Sequence, residues 1–298
     1  MAGDPSALSG GSPCRALLLI PADSRNTMHK NAPHRILPNM SESLTPALLP
    51  EERKRAILEQ LSTEGRVFAA DLCRNLRVSE DTIRRDLRDL DEAGLLRRVH
   101  GGALPRAQTT LAYSERTQVQ QPAKQALAKV AADMVRPGQV LFIDGGTTTL
   151  EIARHLPRDL RATVITVSAP VAMALSEHTG IEVHLLGGRL HREAMTTVGA
   201  ETVEAVRQVR ADLCLLGVCS LHNEAGITTP HAEEAPIKRA MIQGSAETVA
   251  VVTADKLGTL SSFVVAPAER LATLVTEATA PESALAPFRK LKLRVVTA

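Results

Sequence analysis

The sequence has few aromatic residues: no tryptophan, one tyrosine and four phenylalanines among 298 residues. With so few ring faces, bases have little to stack on, which argues against a reader of single strands or of RNA. Any core must be built from Leu, Val, Ile and Ala. Cysteine is also scarce. Cys14, Cys73, Cys214 and Cys219 show no C-x-x-C spacing and no accompanying histidine cluster. Neither a disulfide framework nor a metal site is therefore predicted, and the thiols suit a reducing, cytoplasmic compartment. No apolar run approaches the length of a membrane span, and Ala16–Ile20 is too short for a usual signal-peptide core, so no membrane partner is expected. Neither charge sign dominates: the net charge is +2, and over residues 51–106 twelve Lys/Arg face eleven Asp/Glu.

What is present suits a soluble chain of two domains, with 44% apolar and 23% charged residues. Residues 1–49 are rich in Pro, Ser, Ala and Asn without a sustained period and read as a disordered extension. Met28 and Met40 both precede the first credible helix, so a later start would cost the fold nothing. The most informative stretch is Ser79–Leu104. Ser79 is a good N-cap with Asp81 in the first turn, and Ile83, Leu87, Leu90 and Leu95 make an apolar stripe. Thr82, Arg84, Arg85 and Arg88 are left facing outward. Gly94 ends the helix, and Leu95–Val99 followed by His100-Gly101-Gly102 has hairpin chemistry.

Taken alone, this is also an ordinary amphipathic helix whose arginines are solvated or paired with Asp86, Asp89 and Asp91. The preceding chain changes the reading. Glu51–Ser62 is a helix with Ile57, Leu58 and Leu61 on one face, Gly65-Arg66-Val67 a turn, and Ala69–Leu76 a second short helix. Helix, turn, short helix, tight corner, polar-faced helix and hairpin make a winged helix-turn-helix over residues 50–104. Such a unit lays an Arg/Thr face in the major groove of duplex DNA and braces the neighbouring backbone with its hairpin. The modest local charge implies that specific affinity relies on a homo-oligomer reading paired half-sites.

ERKRAILEQL, VSEDTIRRDLRDLDEAGLL and RRVHGGA closely resemble the N-terminal signature of the DeoR family of bacterial transcriptional regulators. The resemblance implies operator contacts from Ser79, Thr82, Arg84 and Arg85 of the recognition helix, with Arg88 on the same face, and from Arg98 and His100 of the wing.

Residues 105–122 are polar and closed by a proline, and read as a linker. From residue 123 to 298, helices alternate with short apolar strands, the rhythm of a mostly parallel sheet with helices on both faces. The predicted fold class is thus α/β, a winged helix followed by a larger α/β domain. Ligands of such sheets sit outside the carboxyl ends of the strands. Three loops fall there. Asp144-Gly145-Gly146-Thr147-Thr148-Thr149 follows a strand and opens a helix, so its glycines, free N–H groups and hydroxyls could cradle a phosphate. It is neither a Walker A nor a G-x-G-x-x-G loop, and no cofactor is predicted. A lone Gly-Gly-Thr turn is more often plain turn and capping. Gly187-Gly188-Arg189 follows another strand. Glu234 and Lys238 share a helix face, either as an i,i+4 pair or with Lys238 meeting an anion. Asp255-Lys256 reads equally as a surface turn.

FIDGGTTTLEIARHL, HLLGGRL, VGAETVEAV, GITTPHAEEAPIKRAM and ADKLG look, in that order, like the sensor domain of the same family. That domain is similar in fold to ribose-5-phosphate isomerase, and its members typically sense phosphorylated sugars. The resemblance implies that Asp144, Gly145, Gly146 and Thr147–Thr149 hold a phosphate, with Gly187, Gly188, Lys238 and Lys256 near the sugar. It also marks Arg116 and Lys124, ahead of the sensor. The chain departs from the pattern at Thr166-Val167-Ser168, where many members carry Thr-Asn-Ser, and at His231, where Asn is expected. The Asp255-Lys256 segment also lacks the longer Asp-x-Ser-Lys form. The phosphate end therefore reads as intact and the sugar-reading end as altered.

Two other functions are open to the sequence. An isomerase would need Asp144, Glu234 and Lys238 as carboxylate base and electrophile, but nothing in the spacing fixes their geometry, and a regulator needs no turnover, so no catalytic residue is predicted. A purely DNA-responsive protein with a vestigial pocket would explain Val167 and His231, against the intact Gly-Gly-Thr-Thr-Thr run.

Overall fold

The computed structural model describes residues 48–106 and 111–298; the extension expected over residues 1–49 lies almost wholly outside them. The first elements are α1 (Pro50–Glu64), β1 (Val67–Phe68), α2 (Ala69–Leu76), α3 (Glu80–Glu92), β2 (Leu96–Val99) and β3 (Gly102–Pro105), with the strands in the antiparallel order β1-β3-β2. Ile57, Leu61, Leu72, Ile83, Leu87, Leu90 and Leu96 form their common core. Leu95, expected in the apolar stripe, is exposed while Leu96 is fully buried. The helix stops at Glu92 and Gly94 turns the chain, so the inward side chain is set by the strand and no longer by helical period.

The stretch read as a linker carries a helix, α4 (Tyr113–Gln118). The Glu115 carboxylate accepts the Ala112 N–H at 2.8 Å, fixing the helix start. Pro122 lies in the first turn of α5 (Gln121–Ala132), where proline is tolerated; it opens a helix and does not close a linker.

Next come β4 (Val140–Ile143), α6 (Thr147–His155), β5 (Ala162–Thr166), α7 (Ala169–Leu175) and β6 (Ile181–Leu185). A small hairpin of β7 (Arg189–His191) and β8 (Thr196–Val198) precedes α8 (Ala200–Arg207) and β9 (Ala211–Gly217). After β10 (Ser220–His222), β11 (Gly226–Thr229) and α9 (Glu234–Gln243) come β12 (Ser245–Val251), β13 (Phe263–Ala266), β14 (Thr273–Thr276), α10 (Glu282–Lys290) and β15 (Arg294–Thr297).

Seven strands form one sheet in the order β15-β14-β12-β9-β4-β5-β6, and every pairing in it is parallel. Alternate side chains leave by opposite faces. Leu141, Ile143, Leu213 and Leu215 pack with Leu127, Ile152 and Leu175 of α5, α6 and α7. Phe142, Cys214, Leu216 and Ala250 pack with Val206, Met241 and Phe288 of α8, α9 and α10. The result is an α/β/α layering with a core on each face. From β4 the chain winds outward through β5 to β6; from the adjacent β9 it winds the other way. The order reverses between β4 and β9, so their carboxyl ends flank a crevice of the kind in which open α/β sheets bind ligands.

Candidate functional site

At that crevice the two strand ends are locked together. The buried Asp144 carboxylate accepts the Gly217 N–H at 3.0 Å and is ion-paired with Lys238, whose ammonium also donates to the Gly217 carbonyl at 3.0 Å. A Cβ on Gly217 would lie 2.5 Å from the Gly145 carbonyl oxygen, so no side chain fits where the strand ends meet. Burial works against the Lys238 charge, but Asp144 and Glu234 outweigh it and push the ammonium above the ordinary lysine range. The i,i+4 partner read from sequence is not its partner. Glu234 instead accepts a hydrogen bond from Thr229 Oγ1 at 2.8 Å.

In front of this clamp lies a cavity of about 460 Å³. Its floor is Gly145, Gly146, Thr147 and Thr148 at the start of α6, where the first N–H groups of a helix have no intrahelical acceptor. Arg116, Lys124 and Lys256 contribute cations to its wall, with Glu193, Glu234 and Asp255 as the acids. Lys124 is buried and donates to the Arg116 carbonyl. Burial, with Lys256 and Arg116 nearby, lowers its ammonium to about 8. Arg116 donates to the Glu193 carbonyl and lies 5.6 Å from the Tyr113 ring. Its Nε and Thr253 Oγ1 are buried with no hydrogen-bond partner among the described residues. None of the three wall cations is ion-paired among the described residues. The cavity thus offers free N–H groups, hydroxyls and cations to an anion of small-molecule size.

Of the effector residues read from sequence, Gly145, Gly146, Thr147, Thr148, Glu234, Lys238 and Lys256 line this cavity. Four do not. Asp144 stands behind the lining as the partner of Lys238, and Thr149 is wholly buried, its hydroxyl donating to the Gly146 carbonyl. Gly187 and Gly188 also lie away from the cavity. The Gly187 carbonyl accepts from Thr202 Oγ1 at 2.7 Å, and Gly188, at φ 142°, approaches the Val198 carbonyl too closely for a Cβ. This loop serves the β7–β8 hairpin. Val167, one of the departures noted above, packs into the core shared with α8 and α9 and is likewise outside the cavity. Sequence reading missed Glu193 and the residues ahead of α5, Leu111, Ala112, Val119 and Gln120. The 112–115 capping geometry was the available signal for the latter.

On α3, Ser79 Oγ accepts the Thr82 N–H at 3.3 Å and lies 2.9 Å from Thr82 Oγ1. Arg84, Arg85, Arg88, Arg98 and His100 are exposed. Their freedom has a structural cause. Asp86 is buried in a two-point ion pair with Arg53 of α1, and Asp89 pairs with Lys54 at 2.9 Å. Asp91 lies 3.8 Å from Arg97. The acids behind the recognition helix are therefore taken by neighbouring cations, and Arg85 and Arg88 make no ion pair among the described residues. Arg84 leans on Glu80 at 2.6 Å, an exposed contact of little energetic weight. Arg53 was not singled out in the sequence, where it is one base in a charged helix.

Comparison with known proteins places both parts of the chain in one family. The family model for the DeoR-like helix-turn-helix domain matches residues 53–109, and that for the DeoR C terminal sensor domain matches residues 119–278. The chain belongs to the DeoR family of transcriptional regulators. Among similar curated members are the HTH-type transcriptional regulator GlpR of Haloferax volcanii and the HTH-type transcriptional repressor GlcR of Bacillus subtilis. The first is 39% identical over 72% of this chain and 84% of the relative. The second is 37% identical over 71% and 82%. Both are named as regulators and not as enzymes. Among solved structures, a ribose 5-phosphate isomerase A from Methanocaldococcus jannaschii is similar at 15% identity and a TM-score of 0.33, over 44% of this chain and 51% of that one. As a DeoR-family regulator, the chain has duplex operator DNA as a partner. No helix among the described residues is long and apolar enough to cross a membrane.

Proposed function

We propose that this DeoR-family regulator represses a carbohydrate operon as a homo-oligomer, and that a phosphorylated sugar bound in the cavity releases or modulates it. The observation that carries the reading is the α6 N-terminus at the strand reversal, faced by Arg116, Lys124 and Lys256, none of which is ion-paired among the described residues. The phosphate would take the N–H groups of the Gly146–Thr148 turn and the threonine hydroxyls, and Glu234 would accept from a sugar hydroxyl. Lys238 would position the floor through Asp144 and Gly217 and would not itself neutralise the ligand. Ser79, Thr82, Arg84, Arg85 and Arg88 would contact operator DNA, with Arg98 and His100 on the flanking backbone. A route between the two ends exists in the chain. Lys256 lines the cavity, and four residues on, the Leu260 N–H donates to the Pro105 carbonyl at the end of wing strand β3. A ligand shifts the operator-bound population only as far as its affinity differs between the two poses, typically 1–3 kcal/mol.

The test is a thermal-shift screen of the full chain against sugar phosphates, glycerol 3-phosphate among them, each beside its unphosphorylated counterpart. Duplex sites are selected in parallel from a random library. One phosphosugar should stabilise the chain by about 2.7 kcal/mol at a hundred times Kd. The effect should vanish in Thr147→Ala/Thr148→Ala. Arg84→Ala/Arg85→Ala should lose the selected DNA and keep the ligand. Equal shifts with the free sugars, or none with any phosphate, would overturn the effector reading and leave the family assignment standing.

A further inference from the structure

At one edge of the cavity, three potential metal ligands come together from two loops. His191 ends β7, Glu193 lies in the turn to β8, and His231 follows β11. One donor atom of each lies within 4.8 Å of the other two. His231 Nδ1 and Glu193 Oε2 are 3.6 Å apart, and the two imidazole rings meet edge to face at 4.5 Å. His191 Nδ1 is buried and has no hydrogen-bond partner among the described residues. No other group of three such side chains is close enough to share an ion among the described residues.

We propose that His191, Glu193 and His231 form a binding site for a divalent transition-metal ion of the zinc class at the mouth of the cavity. Two imidazoles and one carboxylate are a ligand set that zinc accepts with a further position open. Zinc bonds of 2.0–2.2 Å at tetrahedral angles place ligand atoms about 3.4 Å apart. The 3.6 Å pair is already near that spacing, and drawing His191, within 4.8 Å of both, onto the same ion needs a closure of about 1 Å, the order of a small side-chain rotation. Glu193 and His231 both line the cavity, so the open position of the ion faces the same space as Arg116. The Glu193 carbonyl also holds the Arg116 guanidinium, so an ion there would fix the turn that aims this cation. Mg²⁺ and Ca²⁺ favour oxygen-rich, higher-coordinate sites and are excluded by the two imidazoles. Sequence spacing hid the site because His231 is forty residues from His191.

The experiment uses the full chain and metal alone. Zn²⁺ is titrated against a chromophoric chelator, and Co²⁺ is followed by its visible absorption. One equivalent of Zn²⁺ should bind, and Co²⁺ should give the intense bands of a four-coordinate site. Loss of a direct ligand in His191→Ala, Glu193→Gln or His231→Ala should weaken Zn²⁺ by more than the roughly 10–100-fold typical of an outer partner. His184→Ala, which removes an exposed imidazole paired with Glu182, should leave binding unchanged. Because the Glu193 side chain is exposed, Glu193→Gln tests the site without threatening the fold. Binding that survives Glu193→Gln and His231→Ala undiminished, or a weak six-coordinate Co²⁺ spectrum, would overturn the proposal and assign the metal to scattered surface histidines.

Discussion

The winged helix and the cavity each hold a buried ion pair, and the two pairs leave opposite things uncovered. In the winged helix, Arg53 of α1 takes the buried Asp86 of α3, so an acid is withdrawn and the outward arginines keep their charge. In the cavity, Asp144 takes Lys238, so one cation is withdrawn, and Arg116, Lys124 and Lys256 are the lining cations left without an ion-pair partner among the described residues. Pairing decides which charges face a partner. That is why a net charge near zero over residues 51–106 says little about the surface presented to DNA.

The largest expected effect comes from breaking either pair. Removing one partner leaves a buried charge uncompensated, so Asp86→Ala and Lys238→Met should each cost about 3–5 kcal/mol in denaturant unfolding. Replacing both partners by apolar residues of similar volume, as in Arg53→Met/Asp86→Leu, should return most of that loss. Single variants within about 1 kcal/mol of the parent would mean that the pairs are ornamental and the comparison empty.

A smaller effect separates the cavity's free cations from its paired one. Lys124 is lowered to about 8 by burial and by Lys256 and Arg116, so it is charged at pH 7 and mostly neutral at pH 9. An anion prefers the charged form. Affinity for a phosphosugar should therefore be nearly full at pH 7, about half that at pH 8 and about tenfold lower at pH 9 as this proton is lost. Lys238, pushed upward, contributes no change in that window. Titration calorimetry at the two pH values checks the slope, and Lys124→Arg should flatten it because a guanidinium stays charged. A slope that persists in Lys124→Arg would place the titrating group elsewhere.

The smallest effect is at Gly187, which has open space around the position of a Cβ and no positive φ. Gly187→Ala should change stability by less than about 0.5 kcal/mol and leave ligand binding intact, whereas a glycine cradling the ligand would not tolerate it. A calorimetric titration of this variant settles which loop belongs to the cavity.

Local signals were enough for the recognition helix, the alternating strands and the Gly-Gly-Thr turn, because each is written in contiguous residues. Period and capping fix α3, and an apolar run that stops at Asp144 fixes the end of β4. What escaped depends on contacts distant in sequence or on elements too short to show a period. The Arg53–Asp86 pair joins residues on separate helices. The hairpin of β7 and β8 has three-residue strands, and α10 carries an internal proline, Pro287. Gly187 and Gly188 misled because glycines at a strand's carboxyl end also serve a turn that approaches another backbone. The wall around Arg116, a residue that only the family resemblance marked, lay in a polar stretch whose one local sign of order was a self-capping glutamate.

The close approach of Gly145 and Gly217 has a consequence for how such a regulator can diverge. At the strand reversal no side chain fits, so the Gly145–Gly217 end of the cavity floor is a fixed point that substitution can hardly reach. The walls come from the α4 segment, the turn after β7 and the stretch after β11, whose side chains are partly exposed and bear little of the core. A lineage could exchange residues there, at positions such as Arg116, Glu193 and His231, at small cost to folding. If the cavity takes a phosphosugar as proposed, its sugar preference could then drift while the grip on the phosphate stayed the same. Heritable change in what the regulator senses is thus channelled to one side of the cavity.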